Sequence, residues 1–209
     1  HGPAQHRLSE FGHWRKRRFE RRMRAPMLPA TAPLQFEYAR EPDVSSPLDQ
    51  ELRELISGCF EQPHNAFFRE RRYAQEMPTH RFMLRREGGP LIGHIAVHEK
   101  LISVADRELQ VGGLAEVCVH RSERGQGHFR RLLTHAHEQL AKRGIEYALL
   151  LGEPAVYAAS GYRPLDASIR RFNPKTQSFE DGQLATALYK PLTEKPWPAG
   201  PVDLRGPLF

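Results

Sequence analysis

The chain predicts an α/β (α+β) fold in which a mixed, mostly antiparallel central sheet is flanked by helices, and three observations predict it. Apolar-rich stretches at about 81–86, 90–104 and 108–120 are joined by Gly88-Gly89 and Ala105-Asp106-Arg107, turns short enough to make them antiparallel neighbours. A glycine-bearing turn at 124–127 opens directly into an amphipathic helix. An apolar run of strand length, Ile145 to Leu151, then leads through Gly152-Glu153-Pro154 into a short helical segment before Gly161-Tyr162. Read along the chain, the element order is β-α-α-β-β-β-α-β-α-β-β.

Residues 1–33 form a basic extension whose end, with Pro26, Pro29 and Pro33, reads as a linker. Leu34 to Tyr38 alternates as a first strand should. Ser46-Pro47 supplies an N-cap and a proline at the first helical position, opening a helix with Leu48, Leu52, Leu55, Ile56 and Cys59 on its apolar side. A second helix is expected from about Asn65 to Gln75, and the three strands follow it. The helix after Gly127 carries Phe129, Leu132, Leu133, Ala136 and Leu140 on one face and ends at Gly144. A last strand is expected around Leu184 to Tyr189. This bounds a domain at 34–190 and leaves 191–209 as a proline-rich segment. Its Trp197, Val202, Leu204, Leu208 and Phe209 are too apolar for a solvated tail, so the segment is expected to pack on the domain, with Asp203 and Arg205 as its candidate polar contacts.

Length and composition fit one soluble domain: 209 residues, 39% hydrophobic and 27% charged, with no apolar run long enough to span a bilayer. A cytoplasmic location is the default expectation. The net charge of +6 is concentrated in residues 7–24, where eight Lys/Arg face Glu10 and Glu20, leaving 23 basic and 23 acidic residues in 25–209. A polyanion or a membrane surface is therefore a candidate partner of residues 7–24, and the folded part has no charge signature of nucleic-acid binding. Cys59 and Cys118 lack metal-site spacing and read as buried free thiols, and the histidine pairs His94/His98 and His135/His137 are not placed to share a metal.

The most informative stretch is Val117 to Arg130, V-C-V-H-R-S-E-R-G-Q-G-H-F-R. Backbone N–H groups at a glycine turn that starts a helix lack intrahelical partners and sit at the positive end of the helix dipole, which suits a pyrophosphate. No Lys-Ser or Lys-Thr follows Gly127, so this is not a Walker A loop, and the glycine spacing is not that of a dinucleotide fingerprint.

What remains, Arg124-Gly125-Gln126-Gly127-His128-Phe129, resembles the acyl-CoA loop Q/R-x-x-G-x-G/A of the GNAT (Gcn5-related N-acetyltransferase) superfamily, with Phe129 in place of the final small residue. The stretch L-L-G-E-P-A-V-Y-A-A-S-G-Y resembles the family's second landmark, a tyrosine four residues before a Gly-aromatic pair, here Tyr157, Gly161 and Tyr162. The resemblance implies the GNAT fold and transfer of an acetyl or other short acyl group from acyl-CoA to a primary amine, without a metal. It implies cofactor contacts at Val117, Cys118, Val119, Arg124, Gly125, Gln126, Gly127, His128 and Phe129. Tyr157 is the implied general acid. For the base, Glu116 interrupts an apolar strand, where a carboxylate is unfavourable unless it faces a cleft or a partner, and alternation puts it on the same face as Cys118. His94 is the second candidate, in a strand segment that family members place beside the acceptor cleft.

The C-terminal W-P-A-G-P-V-D-L-R-G-P resembles the end of the rhizobial nodulation N-acyltransferases, which brings in acyl-carrier protein as an alternative donor and an amino sugar as acceptor. A non-catalytic acyl-CoA-binding module is the competing class. The partners implied are an amine acceptor, small molecule or protein, an acyl-carrier protein in the alternative, and a second copy of the chain as a homodimer.

Overall fold

The structure, a computed structural model, describes residues 32–209; the basic segment 7–24 and most of the proline linker lie outside the described residues. Strand β1 (Leu34–Arg40) pairs antiparallel with β2 (His80–Arg86), from Leu34↔Arg86 to Arg40↔His80. Between them lies α1 (Ser46–Cys59), which buries Leu52, Leu55 and Ile56. Its cap is Ser45, whose Oγ accepts from the Leu48 N–H at 3.4 Å, one residue earlier than expected. Either serine has the chemistry for a cap, but Ser45 is the one with extended backbone, and proline is tolerated in the first turn where its missing N–H has no partner to lose.

The helix expected from Asn65 to Gln75 is absent. A 3-10 stretch covers Pro63–Arg69, and the chain then runs irregularly to β2. Backbone groups that a helix would have paired take other partners, the Ala74 carbonyl accepting from the Arg71 side chain and the Ala74 N–H donating to Glu116, while the Arg72 side chain reaches Asp49 on α1. Tertiary partners have overridden local helical preference.

Strands β3 (Leu91–Val104) and β4 (Arg107–Val119) form a long hairpin from Val104↔Arg107 to Gly93↔Val119. Register slips once: His94 faces Cys118 but Ala96 faces Ala115, so Glu116 and Val117 together oppose Ile95. Helix α2 (His128–Lys142) returns the chain to β5 (Tyr147–Leu151), which runs parallel to β4. Gly144 at φ +83 stops the helix. Leu132, Leu133, Ala136 and Leu140 of α2 pack with Ile92, Ile95, Val97 and Leu114 of the sheet in one core cluster. On the opposite face, α1 packs its apolar residues on Met83, Leu91 and Cys118.

After β5 come α3 (Pro154–Tyr157), β6 (Arg163–Pro164), β7 (Ile169–Asn173), β8 (Ser178–Gly182), β9 (Ala187–Pro191) and β10 (Val202–Asp203). The sheet order is β6-β9-β5-β4-β3-β10-β7-β8, with β2 and then β1 on the other half of β3. The last expected strand is β9, starting later than read. The β7–β8 hairpin and the two-residue strands were not foreseen: Ser-Phe-Glu-Asp-Gly in β8 is short, polar and without a buried face.

The 191–209 segment lies on the sheet. Trp197 packs 5.0 Å from both Tyr147 and Tyr189, and the Tyr147 hydroxyl donates to the Pro196 carbonyl at 2.8 Å. Phe209 covers Gly113, where any Cβ would meet its ring at 2.3 Å. Asp203 and Arg205 are engaged within the chain: the Asp203 carboxylate accepts from the Arg205 N–H, and Arg205 pairs with Glu108. They sit beside Ser103 and Val104, the end of β3 remote from the glycine turn.

Candidate active site

Strand β4 ends at Val119, and a 3-10 turn, Arg121–Glu123, leads to Gly125 and Gly127 at φ +76 and +77. Both glycines are left-handed with open space where a Cβ would stand, so conformation and not crowding selects them. The first bond of the helix runs from the Arg131 N–H to the Gly127 carbonyl at 3.1 Å. Among the described residues, the N–H groups of Gly125, Gln126, Gly127, His128, Phe129 and Arg130 make no hydrogen bond to the protein. They form a row of donors at the positive end of a four-turn helix.

The side chains of the turn brace it. Arg124 Nε donates to the Val119 carbonyl at 3.1 Å, and Gln126 Nε2 to the Ser122 carbonyl at 3.3 Å. Arg86 on β2 grips Glu123 at 2.6 Å, which holds the Glu123 carboxyl below its ordinary range, and buried His128 lies 3.4 Å from the same carboxylate. A cleft of about 310 Å³ opens against this turn. Val117, Cys118 and Val119 of β4 form one wall, Gly125, Gly127, His128 and Phe129 another, and Cys59 and Phe60 at the end of α1 close it. Strands β4 and β5 pair only from Val111↔Tyr147 to Leu114↔Leu150, so the backbone of Val117 to Val119 is not covered by β5.

Tyr157 comes from α3, with its ring edge-on to Phe129 at 5.4 Å and to Tyr162 at 5.5 Å. Gly152 admits the ring, since a Cβ there would stand 2.5 Å from it. The Tyr157 hydroxyl has no hydrogen-bond partner in the protein among the described residues, and burial pushes it up to about 12. It is therefore a neutral, uncommitted proton donor at pH 7. Phe129 departs from the small residue of the motif without blocking the row of donors: its side chain joins the core cluster beside Tyr157 while its N–H stays with the turn.

Glu116 sits in the β4 irregularity at φ +45, a left-handed conformation that costs a non-glycine residue energy. Its carboxylate is buried beneath the irregular segment before β2, where Oε1 accepts from the Ala74 N–H at 3.1 Å and Oε2 has no partner. Burial pushes its carboxyl up to about 7, partly countered by the nearby Arg81 guanidinium. His94 is wholly enclosed. Its Nε2 can only accept from Arg81 Nη1 at 3.0 Å, so Nδ1 carries the proton and donates to the Glu116 carbonyl at 3.1 Å. Burial and the Arg81 charge hold it well below the usual histidine range. With both ring nitrogens hydrogen-bonded, His94 links Arg81 to the Glu116 backbone and stands behind Glu116 as a candidate base, since Glu116 keeps one carboxylate oxygen without a partner.

Sequence reasoning missed Arg81, Glu41 and the position of Cys59. Arg81 did carry a signal: in His80–Arg86 it alternates with buried Met83, an arginine on the covered face of a strand. Cys118 is buried as expected, but Cys59 is only half-buried and lines the cleft; the adjacent Cys118 thiol, then Arg124, bring its thiol down to about 7. Neither cysteine is in a disulfide, and among the described residues no cluster of His, Cys, Asp or Glu could hold a metal ion.

A model of the acetyltransferase (GNAT) domain matches residues 48–165, spanning α1, the hairpin, the glycine turn, Tyr157 and the start of the strands beyond. The chain belongs to the GNAT acetyltransferase family. The GNAT fold is shared with a GNAT family N-acetyltransferase, YhbS, from Escherichia coli in complex with CoA, at a TM-score of 0.60 and 20% identity over 86% of this chain and 93% of that one. A GNAT family acetyltransferase from Brucella melitensis in complex with acetyl-CoA gives 0.54 and 18% over 82% and 95%. No curated protein matches the chain. No helix of the described residues is long and apolar enough to cross a membrane.

Proposed function

We propose that this GNAT domain transfers an acetyl or other short acyl group from acyl-CoA to a primary amine by direct transfer, with Tyr157 as general acid and Glu116 as general base. The observation that carries the reading is the row of N–H groups from Gly125 to Arg130, unpartnered among the described residues, beside the Val117 to Val119 strand that β5 leaves unpaired. Those donors fit a diphosphate in number and sign, and among the described residues no protein group competes for them. The E. coli and B. melitensis relatives, described with CoA and acetyl-CoA, support the same ligand here.

Acyl-CoA supplies an acyl group activated as a thioester. The chain's residues do the rest. Backbone groups of Val117 and Val119 orient the acyl carbonyl; fixed in a strand, they need no reorganisation during reaction. The Glu116 carboxyl, at about 7, is partly ionised at neutral pH and accepts a proton from the amine. The Tyr157 hydroxyl gives a proton to the departing sulfur, since nothing among the described residues engages it.

An acyl-carrier-protein donor, the alternative raised by the C-terminal resemblance, would bring only a phosphopantetheine arm and leave most of the row of donors idle, so the turn favours CoA. Contact of residues 7–24 with a polyanion or a membrane surface is proposed separately and is tested by deleting them and measuring salt-sensitive vesicle binding. The deciding experiment for the site is mass spectrometry of the purified protein for carried acyl-CoA, followed by thiol release from acetyl-CoA across a panel of polyamines, amino sugars, aminoglycosides and lysine peptides. Release with at least one amine, lost in Tyr157→Phe, is the expected result. Tight acetyl-CoA binding with no release over the whole panel would replace the enzyme by a binding module.

A further inference from the structure

Arg81 on β2 is fully buried, and a buried guanidinium is unfavourable unless its donors are met. Its donors go to three elements. Nε donates to Glu41 Oε2 at 2.5 Å, Nη1 to His94 Nε2 at 3.0 Å, and Nη2 to the Arg72 carbonyl at 3.2 Å. Glu41 is held a second time by Arg72, at 2.8 Å, and Arg72 also grips Asp49 on α1 at 2.5 Å.

Two of these bonds lead to Glu116. His94, aligned by Arg81, donates from Nδ1 to the carbonyl of Glu116, the residue held at φ +45. The Arg72 carbonyl, anchored by Arg81, lies two residues before Ala74, whose N–H bonds the Glu116 carboxylate. A left-handed glutamate in a strand persists only where its surroundings over-determine it.

We propose that Arg81 is the positioning residue for Glu116: one buried guanidinium fixes both the strained backbone that carries the carboxylate and the segment that hydrogen-bonds it. The proposal rests on the reading of Glu116 as the base. It also assigns the buried Arg81–Glu41 pair an electrostatic part. The groups around the Glu116 carboxyl are Arg81 from β2, Glu41 from the turn after β1, Cys118 from β4 and the Ala74 N–H, while His94 from β3 bonds the residue's main-chain carbonyl; His98, farther along β3 and near Arg81, is kept neutral by burial. Arg81 lowers the Glu116 carboxyl and Glu41 raises it, so removing either charge moves the titration in opposite directions.

The test uses the full chain with carboxyl-labelled glutamate, and NMR titration in which the Glu116 resonance is assigned by its loss in Glu116→Gln. In the parent protein the Ala74 amide is expected to titrate with the Glu116 midpoint. Glu41→Gln, which keeps an acceptor for Arg81, should lower that midpoint by about one pH unit, and Arg81→Gln should raise it by at least about as much. In Arg81→Gln the Ala74 amide should stop following Glu116, and turnover of the best amine of the panel should fall while calorimetric CoA affinity holds. Should Arg81→Gln not fold, the double variant Arg81→Met/Glu41→Met, which replaces the pair by apolar volume, carries the Ala74 readout. An unmoved midpoint in folded Glu41→Gln, or an Ala74 amide that still follows Glu116 without Arg81, overturns the proposal. Full turnover in Glu116→Gln would instead overturn the base assignment, an outcome independent of both midpoints.

Discussion

Replacing Gly127 by alanine and by aspartate separates the two things this residue does. At φ +77 and ψ 2 it admits a Cβ without any contact within 4 Å, so an alanine there costs only left-handed backbone strain, about 1 kcal/mol. For a domain of this size that lowers Tm by about 2–4 °C. Aspartate tolerates this conformation better and sets a carboxylate beside the helix N-terminus, where the dipole returns about 0.3–1 kcal/mol, so its Tm should fall between those of the alanine variant and the parent. The same carboxylate then competes with a diphosphate for the row of donors and repels it. Unit charges roughly 6 Å apart at an effective dielectric constant of about 20 interact by between 2 and 3 kcal/mol, so CoA affinity should drop at least about tenfold even after screening. Thermal melts and calorimetric titration with CoA read both quantities. The expected pattern is crossed: the alanine variant is the less stable and binds CoA nearly as the parent does, while the aspartate variant is the more stable and binds poorly. An aspartate variant that binds CoA as tightly as the parent, or affinity losses that simply track Tm in both variants, would refute the assignment of the turn.

Tyr157→Phe should leave Tm and CoA affinity unchanged, because the hydroxyl has no partner to lose, and lower kcat by about a hundredfold, read by thiol release. Acyl transfer should rise with pH through about 7 as Glu116 ionises, and that rise should vanish in Glu116→Gln. Stability runs the other way: with its folded value raised from 4.5 to about 7, Glu116 stabilises the fold in full below the lower value and loses that contribution as pH rises through the upper one. Melts should therefore show Glu116→Gln gaining on the parent at about pH 9 and not at about pH 5. Trp197→Ala, which strips a ring from between Tyr147 and Tyr189, should cost roughly 2 kcal/mol in urea unfolding while leaving CoA binding intact.

Elements that bury residues by repetition were legible in the chain. The spacing of Leu132, Leu133, Ala136 and Leu140 announced α2, and β2, β3 and β4 begin and end within one residue of their expected limits. The glycine turn was legible for a different reason, because left-handed backbone at 125 and 127 writes itself as glycine. What escaped depends on partners distant in the chain. Residues 65–75 have helical composition, but donors of Arg72 and Ala74 are claimed by Glu41, Asp49 and Glu116. His94 stood out as a histidine near a cleft, yet its role is set by Arg81 on one strand and by an irregularity on another, neither visible in its own neighbourhood. The β7–β8 hairpin takes its order from pairing, not from any buried face of its own.

Among the described residues, that hairpin joins the sheet path through β10, two residues that bond antiparallel to Ser103 and Val104 and parallel to Ile169 and Arg170. β7 and β8 precede β10 in the chain, so the hairpin, which has its own Phe172–Phe179 contact, has a place on the sheet only once residues 202–203 are seated. Seating it on the sheet needs the long-range contacts of residues 202–203, of the kind that carry a large loop-closure cost.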